Sequence, residues 1–530
     1  QRSLVGSEMC IRDRNKVSGD SLAADFHYLV KQLEAAHPDP YTGFGGKVFF
    51  HKQAFNLENE LRSQPHTLQE FWDKSMAFLS FIQDGHTYLF SLASKQQQKQ
   101  SYLPVGFRCI PDGLIVQSLP AAHQDLLGSL LVGINGKSMD ELLARTASLF
   151  ACENLYNRYS VFCRNVVRRQ FMQQLLPDLE DTVCFYLRTP DGKDVTLEQH
   201  FMENEELRKA EKVNLPSWVG CPEEQMAYRF IDKKKEVMMF KVNSIMARDN
   251  FEYMYKHMKG DLLRQMEFYY QNALKKEMPA DTLQAIRALP SFSGTFAAML
   301  KEMKKHHSEY LIIDLRGNSG GWTPIVLASL YQLYGDKYLQ KDMDTEYYRI
   351  VSPLYMNKLE ITLEEFNRRY GTDYSFGDYT FSMKEQEDIP LDTLRRQFID
   401  GCMSSVKEEL RAQKGAPVYA PKQVFVVTDE RTFSAAFHYA FMLWKMGATV
   451  VGVPSGQAPN TFMEQTLFKL PYTGIEGSIS NSVQIFLPGK DKRAKTFWPD
   501  VMLTYDEYKQ TGFDKQAEIL FLLNKIGQEK

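Results

Sequence analysis

Ser434 stands where an apolar run gives way to a predicted helix. QVFVVT (423–428) has the texture of a strand covered on both faces, DERTF follows, and a helix is expected from Ser434 to Met446, closed by Gly447. A hydroxyl at that point sits in the positive end of the helix dipole, which stabilises negative charge beside it. Serine is also a favoured N-cap, and most serines so placed do no more than cap. To act as a nucleophile it needs a base. His438 lies four residues on, along the same helical face. His86, in QDGHT (83–87), lies in a loop at the start of a strand, from which an imidazole can project into a cleft. A lysine would be a third choice, but GVPSGQAPN (452–460) contains none.

A second loop follows a second buried run. YLIIDL (310–315) leads into RGNSGG (316–321) and a helix expected over Thr323–Leu333. Its glycines allow left-handed backbone and exposed N–H groups, which can bind a phosphate or a developing oxyanion. A plain strand-to-helix turn uses the same residues. Neither nucleotide-loop pattern fits. GINGKS (133–138) ends like a phosphate loop, but Leu131 occupies the first glycine position.

These loops need elements to hold them. VMMFKV (237–242), YLIIDL and QVFVVT read as buried strands, and QVFVVT, the helix and TVVGV (449–453) make a βαβ unit. Residues 20–36 form an amphipathic helix stopped by HPDP (37–40), and Thr67 with Glu70 makes a capping box for a second one. That second helix ends at Asp84-Gly85, and the strand-like YLF (88–90) follows. Between 97 and 190 the chain reads as a small β-rich module: LIVQS (114–118), LLVGI (130–134), an Asn135-Gly136 turn, and a helix capped by Ser138 and Glu141. The charged stretches 245–305 and 336–415 are expected to be surface insertions, with a substrate lid or oligomer contact as the alternative.

The composition bounds the function. The 530 residues carry 63 Lys+Arg against 66 Asp+Glu, a net charge of −3, which lacks the basic footprint of a nucleic-acid binder. With 44% apolar residues there is material for several cores, and runs such as ILFLL (519–523) are core-sized and too short to span a bilayer. The seven cysteines show neither metal spacing nor a disulfide framework. QRSLVGSEMCIRDR (1–14) lacks a signal-peptide layout and resembles translated adapter sequence, so it is expected to be non-native and the true start missing.

Taken in order, these segments resemble the C-terminal processing (tail-specific) serine peptidase family, in its tricorn-core-like branch. DFHYLVKQLEAAHPDPY (25–41) is similar to the N-terminal helical segment and FIQDGHTYL (81–89) to the DGHT signature. LPVGF, DGLIVQS and DLLGSLLVGINGKSMDELL, within 103–143, resemble a PDZ-like module. LIIDLRGNSGG (311–321), TFSAAF (432–437), VVGVPSGQAPNTF (450–462), LPYTGI (470–475) and WPDVML (498–503) complete the order. The resemblance implies a multi-domain α/β fold: a helical segment with DGHT at 15–96, the PDZ-like module at 97–190, a ClpP/crotonase-like ββα superhelix core at 215–515, and a C-terminal helix at 516–530.

It also implies a serine endopeptidase acting on polypeptides without metal or organic cofactor. Ser434 matches the nucleophile and His86 the general base, leaving His438 a packing role. The oxyanion donors would be the N–H groups of Ala435 and of Gly320 or its neighbour Gly321. Three departures stand out: Gln457 replaces a glycine of GEPTGG, Val453 an acid, and Phe437 the glutamate after Ser-Ala-Ala. The third catalytic member is open between Asp84 and Asp491. The alternative is a catalytically impaired homologue that binds peptides or a hydrophobic ligand. The family resemblance carries an expectation of export or of a cell-envelope location; substrate preference and oligomeric state are left undetermined.

Overall fold

In the computed structural model, residues 16–92, 101–218, 221–222, 224–258, 260–343, 345–381 and 389–528 are described. The segment 1–14 expected to be non-native, and Cys10 within it, lie outside them.

The centre is a five-stranded sheet. Its order is Met226–Phe230, Val237–Val242, Tyr310–Asp314, Gln423–Thr428, Thr449–Gly452, with the first pair antiparallel and the rest parallel. All five residues of Tyr310–Asp314 are buried, as continuous apolar runs require. One face packs against the helices Phe292–His306, Pro324–Tyr334 and Ala435–Lys445 through Phe240, Phe296, Leu330 and Phe441. The other is covered by Leu503, Tyr508, Ile519 and Leu522, the last two from the C-terminal helix Ala517–Gln528. The parallel order and crossover helices give the α/β core that the sequence implied.

Two features depart from the expected insertions. The helix Phe292–His306, the last part of 245–305, is not a surface element: Phe292, Phe296, Met299, Leu300 and Met303 lie in the main core because their three-and-four spacing forms one apolar stripe. Within 336–415, Glu346–Ile350 pairs antiparallel with Glu476–Ile485, so this stretch supplies a strand to a second sheet.

That second sheet carries the histidine loop. Tyr88–Leu89 pairs with Glu476–Ile485 through Ser478 and Gly477, just after QDGHT. The helices Gly19–Ala36, Lys47–Ser63 and Leu68–Ser80 pack around Phe26, Phe50, Phe71 and Phe78 and against Ile479 of the same strand. The capping boxes at Thr67/Glu70 and Ser138/Glu141 both form. Buried Asp25 accepts from the N–H groups of Tyr472 and Thr473 (2.8 and 2.7 Å), tying the first helix to the LPYTGI turn.

Residues 106–214 hold a seven-stranded antiparallel sheet that includes Asp194–His200 and Lys212–Asn214, beyond residue 190. Asn135 and Gly136 both take positive φ (45° and 77°), as a tight hairpin turn demands. Among the described residues no helix is long and apolar enough to cross a membrane.

Candidate active site

Ser434 precedes the helix Ala435–Lys445 at φ 52°, ψ −127°, and its side chain caps nothing. A non-glycine residue in that backbone region is strained by about 1–3 kcal/mol and persists only where its surroundings hold it. Gln457 does so: its buried Oε1 accepts the N–H of Ser434. Phe433 N–H donates to the carbonyl of Asn318 (3.1 Å) and Thr432 Oγ1 to that of Leu315 (3.1 Å), so the serine turn is laced to the glycine loop.

The glycine loop is shaped for this approach. Gly320 (φ 106°) lies so close that a Cβ there would stand 2.6 Å from the Cβ of Ser434, and one on Gly321 (φ 143°) would stand 2.2 Å from the carbonyl oxygen of Ile245. Asn318 braces the turn, donating from Nδ2 to the Val242 carbonyl and accepting the Gly320 N–H (both 2.9 Å). That bond occupies one of the three expected oxyanion donors. Among the described residues no protein acceptor takes the N–H of Gly321 or of Ala435.

Below the loop lies a buried charge network. Arg316 clasps Asp314 (2.8 and 2.9 Å) and Glu518 (2.7 Å), and Glu518 also holds Arg108 (2.8 Å). Arg316 and Lys241 hold the Asp314 carboxyl well below the usual range against its burial. The network joins the central sheet, the C-terminal helix and the 106–214 sheet beneath RGNSGG.

His86 is buried, and neither ring nitrogen has a hydrogen-bond partner. Its ring packs 4.9 Å from that of Phe433, the residue before Ser434. Nδ1 lies 3.9 Å from Asp84 Oδ1 and 3.9 Å from Glu153 Oε1. Burial holds the imidazole below its ordinary pKa, while Asp84 and the nearby backbone of Phe462 pull the other way. Asp84 accepts the backbone N–H of His86 (2.8 Å) and the Thr87 hydroxyl, and its Oδ2 lies 3.3 Å from His37 Nε2 of the HPDP motif. Burial opposes its charge, yet His37, His86 and Thr87 bring its pKa down to about 2. Ser478 Oγ donates to the His86 carbonyl (2.6 Å), fastening the loop to the second sheet.

The remaining candidates separate cleanly. His438 has both nitrogens engaged, with Thr323 Oγ1 (2.8 Å) and Gln484 Oε1 (2.7 Å), and burial pushes its pKa down to about 4. It is a satisfied core histidine. Asp491 is taken by Arg493 (2.8 and 3.1 Å), and no contact joins it to His86. Phe437 and Val453 are packed in apolar clusters.

Residues 285–476 match the model of peptidase family S41. That stretch carries the S41 peptidase signature. No curated protein matches this S41 peptidase by sequence. It is similar in fold to mature CPAF, with a TM-score of 0.56 at 14% identity over 96% of this chain and 98% of that one. The complex of mature CPAF with lactacystin gives 0.55 and 14%, over 95% and 97%. The photosystem II D1 C-terminal processing protease gives 0.39 and 11%, over 92% and 94%. As a serine-type peptidase, the S41 chain acts on polypeptides.

Two residues beside Ser434 and His86 have a part that the sequence did not reveal. Glu153 accepts from Gly85 N–H (3.3 Å) and Ala458 N–H (2.8 Å), joining the histidine loop to the GQAPN loop. Burial, reinforced by Asp84, pushes its pKa up to about 8. Gln457 looked like a departure from pattern and instead holds the serine backbone. Asp84, His86 and Glu153 also each offer one ligand atom within 4.8 Å of the others, the spacing of a small metal site.

Proposed function

We propose that this peptidase cleaves polypeptides through Ser434 as nucleophile and His86 as general base. The observation that carries this reading is the strained, uncapped conformation of Ser434. It removes the capping role that a serine at a helix start ordinarily has, and it points to a hydroxyl held for chemistry. His86 supplies a buried imidazole with free nitrogens one residue-contact away, through Phe433.

In the acylation step His86 takes the Ser434 proton as Oγ attacks the scissile carbonyl. The N–H groups of Gly321 and Ala435 receive the oxyanion, since Asn318 holds that of Gly320. Asp84 orients His86 and stabilises its protonated form. The imidazolium then protonates the leaving amine, and water, activated by His86, hydrolyses the acyl-enzyme.

A fluorophosphonate probe tests this. We expect one adduct, on Ser434, absent from Ser434→Ala and His86→Ala. Folded wild-type protein that takes no label would refute the serine mechanism, and labelling that survives His86→Ala but not His438→Ala would refute the choice of base.

A further inference from the structure

A cleft of about 990 Å³ opens beside the serine turn, bounded by Gly85, Ser319 and Phe433 on one side and by the helix Leu155–Asn165 and Arg168 on the other. Four guanidiniums line it: Arg164, Arg168, Arg169 and Arg431. Arg169 is paired with Asp181. The other three have no carboxylate within ion-pair distance among the described residues. Arg164 is exposed and bonds only the Ser160 carbonyl (3.1 Å); desolvation at the cleft wall, followed by the like charge of Arg431, presses its pKa down, and Glu430 opposes this.

The acids of the cleft do not balance them. Glu70 is committed to its capping box with Thr67, and Asp84 to His37, His86 and Thr87. Glu430 is buried, and burial with the neighbouring Asp429 pushes its pKa up to about 8. Asp73 is raised by burial to about 6. Arg164 and Arg431 are exposed cations of like sign lining one cleft, an arrangement that an incoming anion relieves. Planar guanidiniums match a carboxylate with paired N–H donors.

We infer that this cleft is a substrate subsite for a carboxylate side chain, Asp or Glu, within a few residues of the scissile bond. The inference rests on the peptidase reading for its location, since Phe433 and Ser319 adjoin Ser434 and Gly320. Arg431 and Arg164 are specificity residues and take no part in bond cleavage.

The test is to digest a peptide library with C-terminal amides using the full chain and to map the cleavage sites by mass spectrometry. Asp and Glu should be enriched near the cut. In Arg431→Gln, an exposed position, kcat/KM for an acidic peptide should fall about tenfold, while a peptide with Gln in its place is unaffected. Fluorophosphonate labelling of Ser434 should be unchanged. Arg431→Glu should shift the preference toward Lys. Cleavage without acidic enrichment overturns the inference, as does enrichment that appears only with free C-termini or survives both variants.

If no cleavage occurs, the Ser434→Ala chain is titrated with a labelled Glu-rich decapeptide amide and its Gln counterpart, read by anisotropy. A preference for Glu that Arg431→Gln removes upholds the subsite even where the peptidase reading fails. Equal binding of the two peptides overturns it.

Discussion

The backbone N–H of Ser434 donates to Oε1 of Gln457, twenty-three residues on and buried, and this bond holds the serine at positive φ. Gln457→Ala removes the acceptor while leaving the hydroxyl in place. The rate of fluorophosphonate labelling should drop by about ten- to a hundredfold, because a misplacement near 1 Å has that effect on a positioned nucleophile. Gln457→Glu, which keeps the acceptor, should retain more of the rate. Circular dichroism would show both variants folded.

Strain at Ser434 predicts the opposite behaviour for stability. Ser434→Gly abolishes labelling but relieves the φ 52° backbone, so it should unfold at higher denaturant, by about 1 kcal/mol. A drop in stability would show that the hydroxyl does hold the helix start.

Gly320→Ala places a methyl 2.6 Å from the Ser434 Cβ at φ 106°. We expect a loss of about 1–3 kcal/mol in chemical denaturation, together with slower labelling, because the serine turn must move.

The acids beside His86 should differ. Asp84→Asn removes an ionised partner and should lower kcat by about 10⁴-fold at pH 7, the scale on which a mis-set imidazole acts. Glu153 is raised to about 8, hence mostly neutral at pH 7, and Glu153→Gln should have a much smaller effect there. Equal losses would show that Glu153 rather than Asp84 orients the ring.

The pH profile follows from the same shifts. Burial depresses His86, so the base is already neutral below its ordinary pKa of about 6.5, and the acidic limb of the labelling rate should fall below that value. For stability, the unfolded imidazole binds a proton in this window and the folded one does not. His86 therefore makes the fold less stable as pH falls through it. Near pH 8 Glu153 ionises beside Asp84 and favours the imidazolium, so wild type should show a second inflection that Glu153→Gln lacks.

Much of the architecture is local and was therefore legible. The capping boxes at Thr67 and Ser138 are four-residue patterns, and the buried strands before RGNSGG and TFSAAF are continuous apolar runs. The glycines at 320 and 321 announced left-handed backbone with exposed N–H groups, and Ser434 at a helix start announced a choice between cap and nucleophile. The extent of the core within 245–305 was hidden, because charge on the outer face of Phe292–His306 masked its apolar stripe.

The chain by itself thus determined the strand–loop–helix units and the residue types that could react. Only the tertiary structure decided which of them face one another. His37 meets Asp84 across 47 residues, Glu153 meets Gly85 across 68 and Ala458 across 305, and His438 is spent on Thr323 and Gln484. Such pairings leave no period or spacing in sequence. They arise because buried polar groups must find partners, and which partner is within reach is fixed by the packing of distant elements.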